Sequence, residues 1–207
     1  RNYSISDWSE DYIRISVKRE VSPNDNLPEG VYSNWLHNDV NVGDSIEISF
    51  PCGDFFVSDQ QKDCSSIILL GGGVGINPAL TMAKYLAQTG YEGSVYLIHS
   101  VRTRGVEALR GEMDKLCEEN PKFHNFIFYS QEAEDSNTSS KEHIGRTNTD
   151  KLRAILSDVN TETSAAFICG PSSYMTDNIK SCMDLGVAKS NIFYEYFSTN
   201  LDSVLKE

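Results

Sequence analysis

Residues Ile67 to Leu70 are all apolar, and Gly71-Gly72-Gly73-Val74-Gly75 follows them without a break. A short apolar run containing β-branched residues and ending in glycine predicts a strand buried on both faces, as in a parallel sheet. Four glycines in five positions free the backbone from Cβ sterics, so the chain can turn at once. Asn77 suits an N-cap and Pro78 a first helical residue, which predicts a helix over Ala79 to Gln88. Strand, glycine loop and helix N-terminus in that order form a phosphate cradle, with N–H groups and a positive dipole end aimed at an anion. A tight turn with no ligand needs fewer glycines.

The chain downstream repeats the alternation. Apolar strands are predicted over Ser94 to His99, Asn125 to Ser130, Ala165 to Cys169 and Asn191 to Phe197. Helices are predicted over Val106 to Glu119, Asp150 to Leu156 and Ser172 to Leu185, the first with Leu109, Met113 and Leu116 on one face. Glu132 to His143 is acidic and serine-rich without apolar periodicity, which reads as an exposed loop. Strands alternating with helices predict a five-stranded parallel α/β sheet covered by helices on both faces. Function is expected where the carboxyl ends of the strands meet.

The first 62 residues differ. Tyr12 to Lys18 and Ser45 to Phe50 alternate apolar and polar residues and predict antiparallel strands. Val31 to His37 predicts a short helix with Trp35 on its apolar side, and Ser58 to Ser65 is polar and marks the boundary between the two regions. So few strands and one helix cannot close a barrel. This piece, 1–62, is therefore expected to be part of a larger β domain, with 63–207 as the nucleotide domain.

Composition narrows the function. A formal net charge of −12 with no basic run argues against nucleic-acid binding. Five dispersed cysteines without a C-x-x-C pair suggest neither a disulfide framework nor a zinc site. Their spacing is also not that of a plant-type iron–sulfur cluster, and the four histidines show no ligand spacing, so no metal is expected. No apolar run has the roughly 18 residues of a membrane span, and a cytoplasmic setting with reduced thiols is expected.

Four strings occur in order in the first region: Arg1-x-Tyr3-Ser4, Ile15-Ser16-Val17-Lys18-Arg19-Glu20, Gly30-Val31-Tyr32-Ser33-Asn34-Trp35-Leu36-His37 and Gly53-Asp54-Phe55-Phe56. Together they resemble the flavin domain of the ferredoxin–NADP reductase superfamily, and the third and fourth resemble the reductase module of flavohemoglobins. The second region adds three strings. The Gly71 to Pro78 loop resembles the family's G-G-x-G-x-T-P nucleotide loop, with Asn77 in place of threonine. Cys169-Gly170-Pro171 resembles its C-G-P motif, and Tyr194-Glu195-Tyr196-Phe197 its C-terminal segment, although Ser198-Thr199 stand where Gly-Pro is usual.

The resemblance implies a six-stranded antiparallel barrel lacking its first three strands here, and FAD as the cofactor. Arg1 would pair with the pyrophosphate, Tyr3 lie against the flavin, and Ser4 hydrogen-bond its N5. Val17, Lys18, Gly30, Val31, Tyr32 and Ser33 would complete the flavin contacts. It places Gly72, Gly73, Val74, Gly75, Ile76, Asn77 and Pro78 on the pyridine nucleotide, with Cys169, Gly170 and Pro171 beside the nicotinamide. Glu195, Tyr196 and Phe197 would close over the flavin. Ser4, Cys169 and Glu195 carry the implied chemistry: hydride transfer from NADPH or NADH to FAD, then single electrons to a partner, by resemblance a haem globin in nitric oxide dioxygenation. A cytochrome, an iron–sulfur protein or free flavin would also serve as acceptor, and a flavin-free nucleotide-binding module is the rival of another class. No acid follows the second strand of the nucleotide domain. Arg102 and Arg104 stand there, which points to the 2′-phosphate of NADPH or to solvated loop residues.

Overall fold

The computed structural model describes residues 1–22, 28–133 and 138–196. The chain divides into two compact units, Arg1–Asp54 and Phe55–Glu207.

In the first unit, β1 (Ile5–Trp8) pairs antiparallel with β2 (Ile13–Ile15), with a register irregularity between Ile5 and Asp7. Ser6 sits buried in that irregularity, where Arg14 Nε donates to its Oγ at 3.2 Å. The predicted strand over Tyr12 to Lys18 is therefore only three residues long, because β1 offers no longer a ladder.

Helix α1 (Val31–Asn38) forms as expected, but its packing face is polar. Asn34 Nδ2 donates to the carbonyls of Glu20 and Gly30, each at 2.9 Å, and the Glu20 N–H donates to Ser33 Oγ at 3.2 Å. These bonds bury Ser33 and Asn34 and turn Trp35 outward, 39% exposed, with its ring edge-to-face on Tyr32. Main-chain groups of the preceding segment need partners, and satisfying them outweighs burying the indole. The predicted strand over Ser45 to Phe50 is not formed. A strand exists only as part of a ladder, none of the described strands pairs there, and Ile48 and Phe50 are 72% and 93% exposed.

The second unit opens on α2 (Asp59–Lys62), started by a capping box in which the Ser58 N–H donates to Gln61 Oε1 at 3.0 Å. The remaining elements are β3 (Ser66–Gly72), α3 (Ile76–Gln88), β4 (Ser94–Val101), α4 (Arg110–Glu119), β5 (Phe123–Tyr129), β6 (Glu142–Ile144), α5 (Thr149–Ile155), β7 (Ser164–Gly170), α6 (Ser172–Asp184) and β8 (Ile192–Tyr196). The six strands form one parallel sheet in the order β6-β5-β4-β3-β7-β8. Phe55 and Val57 pack in this unit, Phe55 edge-to-face on Phe167 and Val57 in the core. The division thus falls before Phe55 rather than after residue 62.

The period-two alternation of strands sorts the core into two layers. Ile67 and Leu69 of β3, Leu97 of β4, Ile127 of β5 and Phe167 of β7 meet Ile76, Leu80, Ala83 and Leu86 of α3 and Met113 of α4. On the opposite face Ile68, Leu70, Ile98, Phe128 and Ile168 meet Leu152 of α5 and Met175 and Cys182 of α6. This is the predicted architecture, a parallel sheet with helices on both faces, widened by one strand. The additional strand is β6, which pairs with Ile127 to Tyr129 and starts in the last two residues of the segment expected to be loop. Three residues are too few to show a periodicity in sequence.

Two helix starts also shift. Helix α3 begins at Ile76, so Asn77 is a buried first-turn residue and not the cap. Proline is harmless at position 78 because first-turn N–H groups have no intrahelical partner anyway. Helix α4 begins at Arg110 and not at Val106, because Leu109 takes φ +62° and Arg104–Val106 is a 3₁₀ turn. Among the described residues no helix is long and apolar enough to cross a membrane, and no cluster of His, Cys, Asp or Glu is arranged to hold a metal.

Candidate nucleotide site

The strand order turns back between β3 and β7: β4, β5 and β6 extend from one side of β3, and β7 and β8 from the other. In an open parallel sheet the crevice above such a reversal is the place for a ligand. The two chain segments rising there are the glycine turn after β3 and Gly170-Pro171 after β7.

They touch backbone to backbone. A Cβ at Gly75 would lie 2.1 Å from the carbonyl oxygen of Cys169, and one at Gly71 would lie 2.7 Å from Ile76 N. At Gly72 and Gly170 it would strike the Tyr174 ring, 2.8 Å away in both cases. Gly73 is different: it has open space and φ +56°, so it supplies the left-handed residue of the turn. The glycines thus divide their work between close approach and conformation. Gly73–Gly75 form one 3₁₀ turn leading straight into α3, whose N-terminal end carries first-turn N–H groups and the positive end of the helix dipole.

His99, fully buried on β4, braces the turn. Its Nε2 lies 3.1 Å from the Gly73 carbonyl, which can only accept, so Nε2 carries the proton and buried Nδ1 is left without a partner. Burial lowers its pKa to about 4; the bond to Gly73 opposes that shift and the charge of Arg110 adds to it. At neutral pH the ring is neutral. This residue is absent from the sequence-based site. The signal for it was a histidine ending an apolar strand, in register with Gly71 of β3.

Cys169 and Glu195 are brought together as register neighbours on β7 and β8, and Gly170 pairs with Tyr196. Burial, with the Glu195 charge beside it, pushes the Cys169 thiol far above its ordinary range, so it stays an S–H and is no thiolate nucleophile. Burial also raises the Glu195 pKa. A carboxyl whose folded pKa is raised contributes stability below its unfolded pKa and loses it as pH rises through the folded value. Glu195→Gln should therefore raise the melting temperature at pH 7, with the advantage gone by about pH 4, near the unfolded pKa. Thermal melts at the two pH values check this; an unchanged melt at pH 7 would show that the carboxylate is well solvated. The Ser100 and Tyr174 hydroxyls are buried against one another, and the Tyr196 hydroxyl is buried without a hydrogen-bond partner. A buried donor without a partner marks a place where a polar ligand would be satisfied.

The arginines after β4 differ from one another. Arg102 is exposed, whereas Arg104 ion-pairs with Glu132 and Glu142 and lies 4.7 Å over the Tyr129 ring. Arg104 is thus already held by carboxylates. Phe197 lies outside the described residues.

In the first unit Arg1 is exposed and Tyr3 and Ser4 are half-buried just before β1. Lys18 pairs with Glu20 at 2.8 Å, and the Val17 carbonyl accepts from His37 Nε2 at 2.8 Å. At the start of α1, a Cβ on Gly30 would meet Ser33 Oγ at 2.6 Å and Glu20 Cβ at 2.9 Å, while Val31 and Tyr32 are exposed. A tight glycine entry beneath an open helix start is the backbone form suited to a phosphate.

Comparison with known proteins agrees with this geometry. The sequence family described as the oxidoreductase NAD-binding domain matches residues 69–180. Flavohemoprotein A of Dictyostelium discoideum is 37% identical over 198 residues, covering 95% of this chain and 46% of its own length. The crystal structure of the flavohem-like FAD/NAD-binding domain of nitric oxide dioxygenase from Vibrio cholerae superposes with a TM-score of 0.81 at 29% identity. That match covers 95% of this chain and 76% of that one. The flavohemoglobin of Malassezia yamatoensis, solved with bound FAD and heme, gives a TM-score of 0.72 at 26% identity, covering 95% of this chain and 46% of that one. The chain spans about half the length of the flavohemoproteins it matches. The match over residues 69–180 includes the end of β3, the glycine turn, α3 and the Cys169-Gly170-Pro171 turn, and the chain belongs to the oxidoreductase NAD-binding domain family.

Proposed function

We propose that this chain is the reductase portion of a flavohemoglobin-type protein. It takes reducing equivalents from a pyridine nucleotide through FAD and delivers them singly to a haem globin, the overall reaction being nitric oxide dioxygenation. The observation that carries the nucleotide half is the interlocked turn at the sheet reversal, where Gly75 lies against the Cys169 carbonyl in a space no side chain can share. The flavin and globin halves are supported by the likeness to flavohemoproteins and by the four ordered strings of the first region. The five cysteines, none in a disulfide, suit a reducing, cytoplasmic setting.

In this reading the Gly72 to Pro78 turn binds the pyrophosphate through its N–H groups, and the α3 dipole favours the negative charge. Cys169 and Glu195 line the nicotinamide side, the thiol as a neutral contact and the carboxylate as an acceptor for the carboxamide. Arg1 and the entry to α1 hold the pyrophosphate of FAD, Tyr3 excludes water from its ring system, and Ser4 donates to N5. Bound FAD supplies the conversion of a two-electron donor into single-electron steps.

The purified chain should be yellow and bleach on anaerobic addition of NADH or NADPH. A colourless chain that binds nucleotide would instead support a flavin-free module. Ser4→Ala should slow flavin reduction roughly tenfold, the worth of one hydrogen bond in the transition state. Its nucleotide Kd should move less than about twofold, since Ser4 makes no ground-state contact with the dinucleotide. Stopped-flow reduction with parallel calorimetry separates the two effects, and unchanged reduction kinetics would remove Ser4 from the reaction.

A further inference from the structure

Arg104 follows β4, the strand end at which this class of sheet reads the adenosine ribose. Its backbone N–H and its Nη1 both go to the carboxylate of Glu132, and its Nη2 donates to Glu142 at 3.1 Å. The guanidinium also stacks on Tyr129, whose hydroxyl donates to Glu107. Glu142 is shared: its second oxygen lies 3.3 Å from Arg110 Nη1, and Arg110 continues to Glu107 at 3.3 Å and Asp114 at 2.9 Å. Among the described residues two guanidinium groups are thus enclosed by four carboxylates, from Glu107, Asp114, Glu132 and Glu142, and these six groups together are net negative.

A 2′-phosphate would bring up to two further negative charges. To reach the fork of Arg104 it must displace Glu132, whose carboxylate already takes both the main-chain and a side-chain N–H. It would also be placed beside Glu142, and like charges in partly desolvated surroundings repel strongly. A 2′-hydroxyl meets no such obstacle, because it is neutral, donates to a carboxylate and accepts from an N–H. Selectivity of this kind comes from an unfavourable contact built against the wrong ligand.

We propose that Glu132, held on Arg104 and backed by Glu142, makes this chain selective for NADH over NADPH. Glu132 does so as a specificity residue at the adenosine end, reversing what the arginines suggest in the bare sequence. The inference rests on the proposed nucleotide site. Calorimetry of the full chain with NAD⁺ and NADP⁺ as probes, and initial rates with NADH and NADPH, should both give at least about a tenfold preference for the unphosphorylated form. Equal affinities, or a preference for the phosphorylated form, overturn the inference while leaving the site intact. If neither probe binds, the site itself falls and the selectivity with it. Glu132→Gln should move the binding ratio at least about fivefold toward NADP⁺ by releasing Arg104. Glu142→Gln, made in parallel in case the first variant fails to fold, should move it the same way by a smaller factor. A ratio unchanged in the folded variants assigns the selectivity elsewhere and overturns the role of Glu132.

Discussion

Gly75→Ala should lower the stability of the second unit by about 3 kcal/mol or more and abolish nucleotide binding, although it adds one methyl group to a favourable backbone conformation. Gly75 has φ −61°, so the backbone itself accepts alanine without strain. The obstacle is the partner: the new Cβ would stand 2.1 Å from the carbonyl oxygen and 2.5 Å from the carbonyl carbon of Cys169. Both are main-chain atoms of a fully buried central strand, which cannot rotate aside. The turn after β3 and the turn after β7 must separate by more than an ångström, and overpacking of that kind typically costs 1–3 kcal/mol even where side chains can adjust. Separation would also dismantle the proposed nucleotide site, whose two walls are these two turns. Gly111→Ala is the control. Gly111 lies in α4 with no atom within 4 Å of its added Cβ, so alanine should stabilise by about 0.5–1 kcal/mol through helix propensity. Denaturant unfolding of both variants, with calorimetry for the nucleotide, checks the pair. A loss below about 1 kcal/mol for Gly75→Ala would mean that the turns are not in contact.

The contrast between these two glycines also shows where the sequence was legible. Strand–glycine–helix order revealed the turn, and regular alternation revealed the parallel sheet, because both depend on neighbours in the chain. Which glycine is indispensable depends on Cys169, almost a hundred residues away, and no local pattern records that contact. The same reason explains the errors. Alternation over Ser45 to Phe50 is a pattern for a strand, but pairing is decided by another segment. Trp35 reads as the anchor of α1 by hydropathy, yet main-chain groups near Glu20 recruit Ser33 and Asn34 instead. Arg104 reads as a phosphate ligand until Glu132 and Glu142 arrive from beyond β5. Residues brought together by register on adjacent strands, such as Cys169 and Glu195, were legible only because each carried its own motif. His99 carried none, and it was missed.

His99 should make this unit acid-labile between about pH 6.5 and pH 4. Its folded pKa is depressed to about 4 by burial, while in the unfolded chain it returns to the ordinary value of 6.5. A base with a depressed folded pKa contributes stability above its unfolded pKa and loses it as pH falls through the folded one. A gap of this size corresponds to about 3 kcal/mol at about 1.4 kcal/mol per unit. His124 and His143 are lowered by burial as well and act in the same direction, whereas Glu195, raised by burial, acts against them. The effect also reaches the site. A doubly protonated ring still donates to the Gly73 carbonyl, but it places a buried positive charge beside Arg110, and opening the turn is the way to hydrate it. Nucleotide affinity of the folded chain should therefore hold while stability is already declining, and fall only as the pH approaches the folded value of about 4. Two measurements test the argument. The His99 ring resonances should not titrate between pH 8 and pH 5.5 in the folded chain, while stability measured by denaturant should already be declining from pH 6.5. His99→Gln retains a donor for the Gly73 carbonyl and removes the titration, so its stability should be flatter with pH than that of the parent. A ring that titrates near 6.5 in the folded chain would mean that it is hydrated, and the brace on the glycine turn would lose its basis.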